Sequence, residues 1–123
     1  SLEAAELVKL SNNTFRDLSF AFANELAMLA DKYNIDSREV INAANEGYPR
    51  DKIPFPSPGV GGYCLTKDPI LFSCDHLGRR EDALLGLSSR EVNRKASLYP
   101  LKHIDRFLIR NNSKLRDMVV AVI

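Results

Sequence analysis

Charge of one sign, cysteine and long hydrophobic runs are all scarce in this chain. Seventeen basic residues against sixteen acidic ones leave a formal net charge of +1. No basic block or stripe dominates, which argues against nucleic acid and an anionic membrane surface as partners. The longest apolar run, residues 118–123, is far too short to cross a bilayer. Only Cys64 and Cys74 are present, without a secretory leader or a metal-ligand cluster. That predicts reduced thiols, a cytoplasmic setting and no bound metal. His76 and His103 have no partner motif and are expected at surface or cap positions. With 45% hydrophobic and 27% charged residues among 123, the chain fits one globular domain and is short for an enzyme that must hold a large cofactor.

Proline and glycine are missing from residues 4–32, where apolar residues recur at helical intervals, so this segment is expected to be one long helix. Leu7, Leu10, Thr14, Leu18, Ala21, Phe22 and Leu29 form one stripe. Val8, Phe15, Ala23, Ala27 and Ala30 form a second, so more than one face asks for burial and a partner helix beyond the chain is expected. Asp36 or Ser37 then caps a short helix reaching about residue 45, with Glu39 completing the N-terminal signature. Residues 46–63 hold four prolines and four glycines and read as a long irregular loop. A helix over residues 69–76, a polar turn at 78–82 and a second long helix over residues 83–109 follow, with Pro100 expected to start or kink the last. Residues 111–117 read as a polar linker and 118–123 as a buried-strand run with nothing to pair with, as though the chain were cut at the first strand of another domain.

The stretch richest in information is Pro58-Gly59-Val60-Gly61-Gly62-Tyr63-Cys64-Leu65-Thr66-Lys67-Asp68-Pro69. Three glycines within four positions permit close ligand approach, and Pro69 is pre-set for a first helical turn. Cys64 is thus expected beside backbone N–H groups and a helix N-terminus, a setting that favours thiolate. A small buried residue after a glycine turn is the competing interpretation. Lys9, Asn13 and Arg16 fall at i, i+4 and i+7 and share one face of the first helix, either as a solvated polar stripe or as a site. Asp68 before Pro69 suits a helix N-cap.

The blocks Ala5-Glu6-Leu7-Val8-Lys9, Asn13 with Arg16, Asn24-Glu25, Pro49-Arg50 and the glycine loop ending in Cys64 with Asp68-Pro69 resemble, in order, the UDP-glucose/GDP-mannose dehydrogenase family. The resemblance spans nearly the whole chain. It implies an all-α central domain of the 6-phosphogluconate-dehydrogenase-like type over residues 1–113, a linker with a truncated C-terminal nucleotide-sugar-binding domain from 114 to 123, and an NAD-binding domain outside the chain. It also implies a homodimer through the long first helix, a nucleotide-sugar substrate and NAD as cofactor, in a two-step, four-electron oxidation of a C6 alcohol to a uronate.

By resemblance, Cys64 attacks the aldehyde intermediate to give a thiohemiacetal and then a thioester, which splits a hard oxidation into easier steps. Lys9 is the base or oxyanion stabiliser, Asn13 its hydrogen-bonding companion, and Asp68 assists water or orders the lysine. Arg16, Tyr48, Arg50 and Gly61 match substrate-contacting positions, with Arg50 reaching a neighbouring subunit's site in several members. Lys67 approaches the cofactor in some. Members acting on N-acetylmannosamine nucleotides commonly show His where this chain has Tyr48 and Tyr63, and Thr66-Lys67 departs from many bacterial members, so the sugar is left open. The fragment alone is expected to be inactive, having no Gly-x-Gly-x-x-Gly unit. The competing assignments are a non-catalytic helical dimerisation module and a 6-phosphogluconate or 2-hydroxy-acid dehydrogenase-like domain, whose chemistry needs no cysteine. A cysteine hydrolase lacks a histidine convincingly placed to activate Cys64.

Overall fold

A computed structural model describes residues 1–74, 78–79 and 84–121. The chain is all-α: α1 (Leu2–Lys32), α2 (Ser37–Asn45), α3 (Gly62–Leu65), α4 (Asp68–Phe72), α5 (Leu84–Arg110) and a closing 3-10 turn at Leu115–Asp117. The described residues contain no strand, and none of their helices is long and apolar enough to cross a membrane.

Local chemistry sets the ends of α1 and α2. The Ser1 hydroxyl accepts from the Ala4 N–H at 3.3 Å, with Glu3 in the first turn against the positive end of the helix dipole. At the other end, Asn34 adopts a left-handed φ of 56°, and the Ile35 N–H returns to the Ala30 carbonyl, closing α1 as a left-handed C-terminal turn. Two residues later the Asp36 carboxylate caps α2 by accepting from the Arg38 N–H at 2.8 Å.

The packing of α1 departs from the hydrophobic pattern. α1 packs chiefly against α5 and then against α4. Its buried seam is Thr14, Asp17, Ala21 and Asn24, matched on α5 by Gly86, Ser89, Asn93 and Ala96. Both seams repeat at i, i+3, i+7, i+10, the spacing of one helix face, but they carry small or short polar side chains, which lets the two axes approach closely. The large apolar residues of α1, among them Leu7, Val8, Phe15, Phe22 and Leu29, lie exposed. Ile41 of α2 is the largest fully buried apolar side chain among the described residues.

Other expectations shift in detail. Pro100 does not start α5 but sits inside it, where its missing N–H leaves the Ala96 carbonyl without an intrahelical partner. The helix after the glycine loop ends at Phe72 rather than reaching 76; residues 75–77, with His76, lie outside the described residues, as does most of the expected turn at 78–82. Met118 to Ala121 lines a groove with His103, Ile104 and Phe107 of α5, while residues 122–123 are not among those described. Cys74 is half-buried, its thiol donating to the Ile70 carbonyl at 3.3 Å.

The far end of α1 is tied to α5 by charge. Asp31 accepts from the Tyr99 hydroxyl at 2.6 Å and from Arg106 at 2.7 Å, and His103 stands 3.9 Å away, edge-on to the Tyr99 ring. The Tyr99 hydrogen bond, followed by Arg106, holds the Asp31 carboxyl below the usual aspartate range, and the same bond raises the Tyr99 phenol.

Candidate functional site

Three of the four candidate catalytic residues meet where α4 crosses the first half of α1. Asp68 is 1% exposed. Its Oδ2 accepts from the Asn13 amide at 2.6 Å and lies 3.9 Å from the Lys9 ammonium, whose side chain is 62% exposed. A buried carboxylate thus holds an amide and a solvent-facing cation on one side of a helix. Lys9 and Asn13 sit one turn apart, and Arg16 lies exposed on the same face. The other carboxylate oxygen, Oδ1, is buried without a protein hydrogen-bond partner, as is the Thr14 hydroxyl.

Asp68 is not the N-cap expected of an Asp-Pro pair. Lys67 holds that position, and Asp68 is the first residue of α4, with Pro69 buried beside it. The cap geometry would have turned the carboxylate back onto α4's own amides. One residue further in, it faces α1 instead.

The fourth candidate rides on α3, a single helical turn that packs against α1 and α4. Gly62 carries the left-handed φ of 80° that starts this turn, while Gly61 is extended at φ −177°. Gly62 therefore favours glycine for its backbone angle. The Thr66 hydroxyl donates to the Gly62 carbonyl at 2.8 Å and pins the turn. Cys64 is exposed, as a nucleophile requires and a core thiol does not. Lys67 places its ammonium 4.1 Å from the centroid of the Tyr63 ring, which is itself 82% exposed. Tyr48 and Arg50 lie exposed on the loop between α2 and α3, and Gly61 is half-buried beside Thr66. Among the described residues, no hydrogen bond or ion pair joins these loop residues to Lys9, Asn13 or Asp68.

Several residues that hold the site together carried no motif. Asp17 is wholly buried, accepting from Ser89 at 2.6 Å, from Asn93 at 2.9 Å and from the Arg90 guanidinium. Gly86 is where α5 meets α4: a Cβ there would lie 2.3 Å from the Pro69 carbonyl oxygen. Asn45 and Asn24 each clamp one loop residue, Ile53 and Ser57 respectively, by donating to its carbonyl and accepting from its N–H. Reciprocal partners of this kind are set by the fold, and the only available sequence signal was Asn24 within the family-like Asn24-Glu25 block.

Comparison with known proteins shows the family and the fold. The UDP-glucose/GDP-mannose dehydrogenase family, central domain, matches residues 3–95. A UDP-N-acetyl-D-mannosamine dehydrogenase of Pyrococcus horikoshii is 40% identical over 119 residues, covering 97% of this chain and 28% of that protein. One from Campylobacter jejuni is 52% identical over 89 residues, 72% of this chain and 21% of that protein. An NDP-N-acetyl-D-galactosaminuronic acid dehydrogenase of Ralstonia nicotianae is 43% identical over 100 residues, 81% of this chain and 23% of that protein. The solved structure of the UDP-D-ManNAc dehydrogenase from Pyrococcus horikoshii superposes with a TM-score of 0.79 at 40% identity, covering 90% of this chain and 26% of that one. The chain spans about a quarter of the length of the curated relatives it matches.

Proposed function

The chain belongs to the UDP-glucose/GDP-mannose dehydrogenase family as its central domain, and from that premise we propose that it carries the catalytic loop of an NAD-dependent enzyme oxidising a nucleotide-sugar C6 alcohol to the uronate. The observation that carries the proposal is the convergence of Lys9 and Asn13 on the buried Asp68 beside a turn that exposes Cys64.

In the first oxidation, Lys9 faces the developing alkoxide with positive charge, and Asn13 offers the amide N–H left over after the one given to Asp68. Asp68 orders both donors. The Cys64 thiolate then adds to the aldehyde carbon, forming a C–S bond, and the resulting oxyanion sits between Lys9 and Asn13. When bound, NAD accepts one hydride in each of the two oxidations. Water attacks the thioester left on Cys64, the C–S bond breaks, and the thiolate is restored. In sum, one alcohol, two NAD and one water give one carboxylate, two NADH and three protons.

Lys67, its ammonium over the face of the exposed Tyr63 ring, supplies a cation that suits one end of a dinucleotide. The strand-turn-helix unit that grips a pyrophosphate is not encoded in this chain, so the 123 residues alone are inactive in this proposal. Arg16, Tyr48, Arg50 and Gly61 are assigned to the substrate. The N-acetylated sugars in the relatives' names make UDP-N-acetyl-D-mannosamine the first substrate to try. The homodimer is assigned to α1, where Val8, Phe15, Phe22 and Leu29 are 61%, 63%, 56% and 48% exposed at seven-residue intervals, forming one apolar stripe.

The test is NADH yield per sugar from the full-length enzyme with UDP-N-acetyl-D-mannosamine, UDP-N-acetyl-D-galactosamine, UDP-glucose and GDP-mannose. Two NADH per sugar, abolished by Cys64→Ser, is the expected outcome. Undiminished uronate formation by Cys64→Ser would sink the thioester route.

A further inference from the structure

The glycine-rich loop is held in place by side chains, and those side chains form one connected chain of hydrogen bonds. Asn24 acts on Ser57 as a strand neighbour would, donating to its carbonyl at 2.9 Å and accepting from its N–H at 2.8 Å. The same Asn24 amide donates to the Asn93 side-chain oxygen at 2.9 Å, and Asn93 in turn donates to the Asp17 carboxylate at 2.9 Å and to the Asp17 carbonyl at 3.1 Å. Asp17 takes its positive partner from Arg90, whose two terminal nitrogens also reach the Val60 carbonyl at 3.4 Å each. Asp17, Asn24 and Asn93 are at most 3% exposed. The network therefore grips the loop at two points, seven and four residues before Cys64, and anchors both in the α1–α5 seam.

We infer that Asn24 and Arg90, coupled through Asn93 and Asp17, are positioning residues that set the approach of Cys64 to Lys9, Asn13 and Asp68. A fully satisfied buried network is stiff, because any displacement unpairs groups that water cannot reach. Ordinary packing of the seam needs no contact with the loop, yet Arg90 and Asn24 each spend donors on it. The inference rests on the dehydrogenase assignment only for its kinetic consequence; the placement of the loop is a property of the fold.

The test uses the full-length enzyme with Arg90→Lys and Asn24→Ala. Arg90→Lys keeps a cation for Asp17 but loses the fork that spans to Val60, so it separates support of the fold from support of the loop. Both variants are expected to lower kcat for the second oxidation by about 10- to 100-fold, in line with misplacement of a reacting group by roughly 1 Å, with KM for the nucleotide sugar within about threefold. Aldehyde trapped by semicarbazide rises as Cys64 captures less of it. Independently of activity, exchange of the Thr66 and Lys67 amides, which bond to the Gly62 and Cys64 carbonyls, is expected to quicken at least tenfold in Arg90→Lys while exchange in α2 stays unchanged. Unchanged exchange at Thr66 and Lys67, or quickened exchange with wild-type kcat, overturns the inference. A wild-type enzyme that fails to yield two NADH per sugar defeats the dehydrogenase assignment instead, and exchange still decides whether the network positions the loop. If Asn24→Ala fails to fold, Arg90→Lys decides alone.

Discussion

Replacing Gly86 with alanine is a sharp test of how α4 is held, because helix propensity and packing predict opposite signs. In an isolated helix the substitution stabilises by about 1 kcal/mol. Here the new Cβ would meet the Pro69 carbonyl oxygen at 2.3 Å and the Ser73 hydroxyl at 2.7 Å, where ordinary contact begins at 3.4 Å. The obstacle at Pro69 is backbone inside α4, so no rotamer change relieves it and the two helices must part by about 1 Å. Overpacking of this kind costs about 3 kcal/mol at the upper end of its usual range. Net destabilisation of about 2 kcal/mol follows, a fall of roughly 8 °C in Tm for a chain of this size. Urea titration of Gly86→Ala against Ser88→Ala, an exposed position on the same helix, measures the difference. Ser88→Ala should leave stability unchanged or raise it by a few tenths. Gly86→Ala/Ser73→Ala should recover little, since the carbonyl remains. A Gly86→Ala chain as stable as wild type would refute the close approach of α4 and α5 and, with it, the placement of Asp68.

Tyr99→Phe should lower stability at neutral pH and flatten its pH dependence at both extremes. The Asp31 carboxyl is depressed in the fold, so its contribution is present above the unfolded value of about 3.9 and is lost as pH falls through the lowered folded value; the raised Tyr99 phenol contributes below about 10 and is lost as pH rises through its folded value. Thermal melts from pH 7 to pH 2 should show the gap between variant and wild type narrowing, and a constant gap contradicts the Asp31–Tyr99 bond. Asn45→Ala unpairs both the N–H and the carbonyl of Ile53 and should cost about 2 kcal/mol, whereas Asn42→Ala, exposed on the same helix, should cost less than about 0.5 by urea titration. Equal costs would show that the clamp does not hold the loop. Phe22→Glu places charge in the exposed stripe of α1; sedimentation of the full-length enzyme should show a dimer turning monomeric, and an unaltered dimer would move the interface off α1.

What the sequence by itself determined is everything carried by local chemistry. The freedom of residues 4–32 from proline and glycine predicts α1, and Asp36 predicts the start of α2, because capping and propensity act within a few residues. The helical spacing of Lys9, Asn13 and Arg16 put them on one face before any fold was known. The tertiary structure decided which face of α1 turns inward, and it chose Thr14, Asp17, Ala21 and Asn24 over Phe15 and Phe22. Periodicity could not foresee that, since an apolar stripe signals burial without saying whether the cover comes from the same chain. Tertiary structure also moved Asp68 from a cap to the first turn of α4, where its carboxylate faces α1. It paired Asp17 with Arg90 and Asn24 with Ser57 across separations of 73 and 33 residues, and it made Gly86 indispensable through the approach of a second helix. Each of these depends on groups far apart in the chain, whose meeting is fixed only when the helices pack.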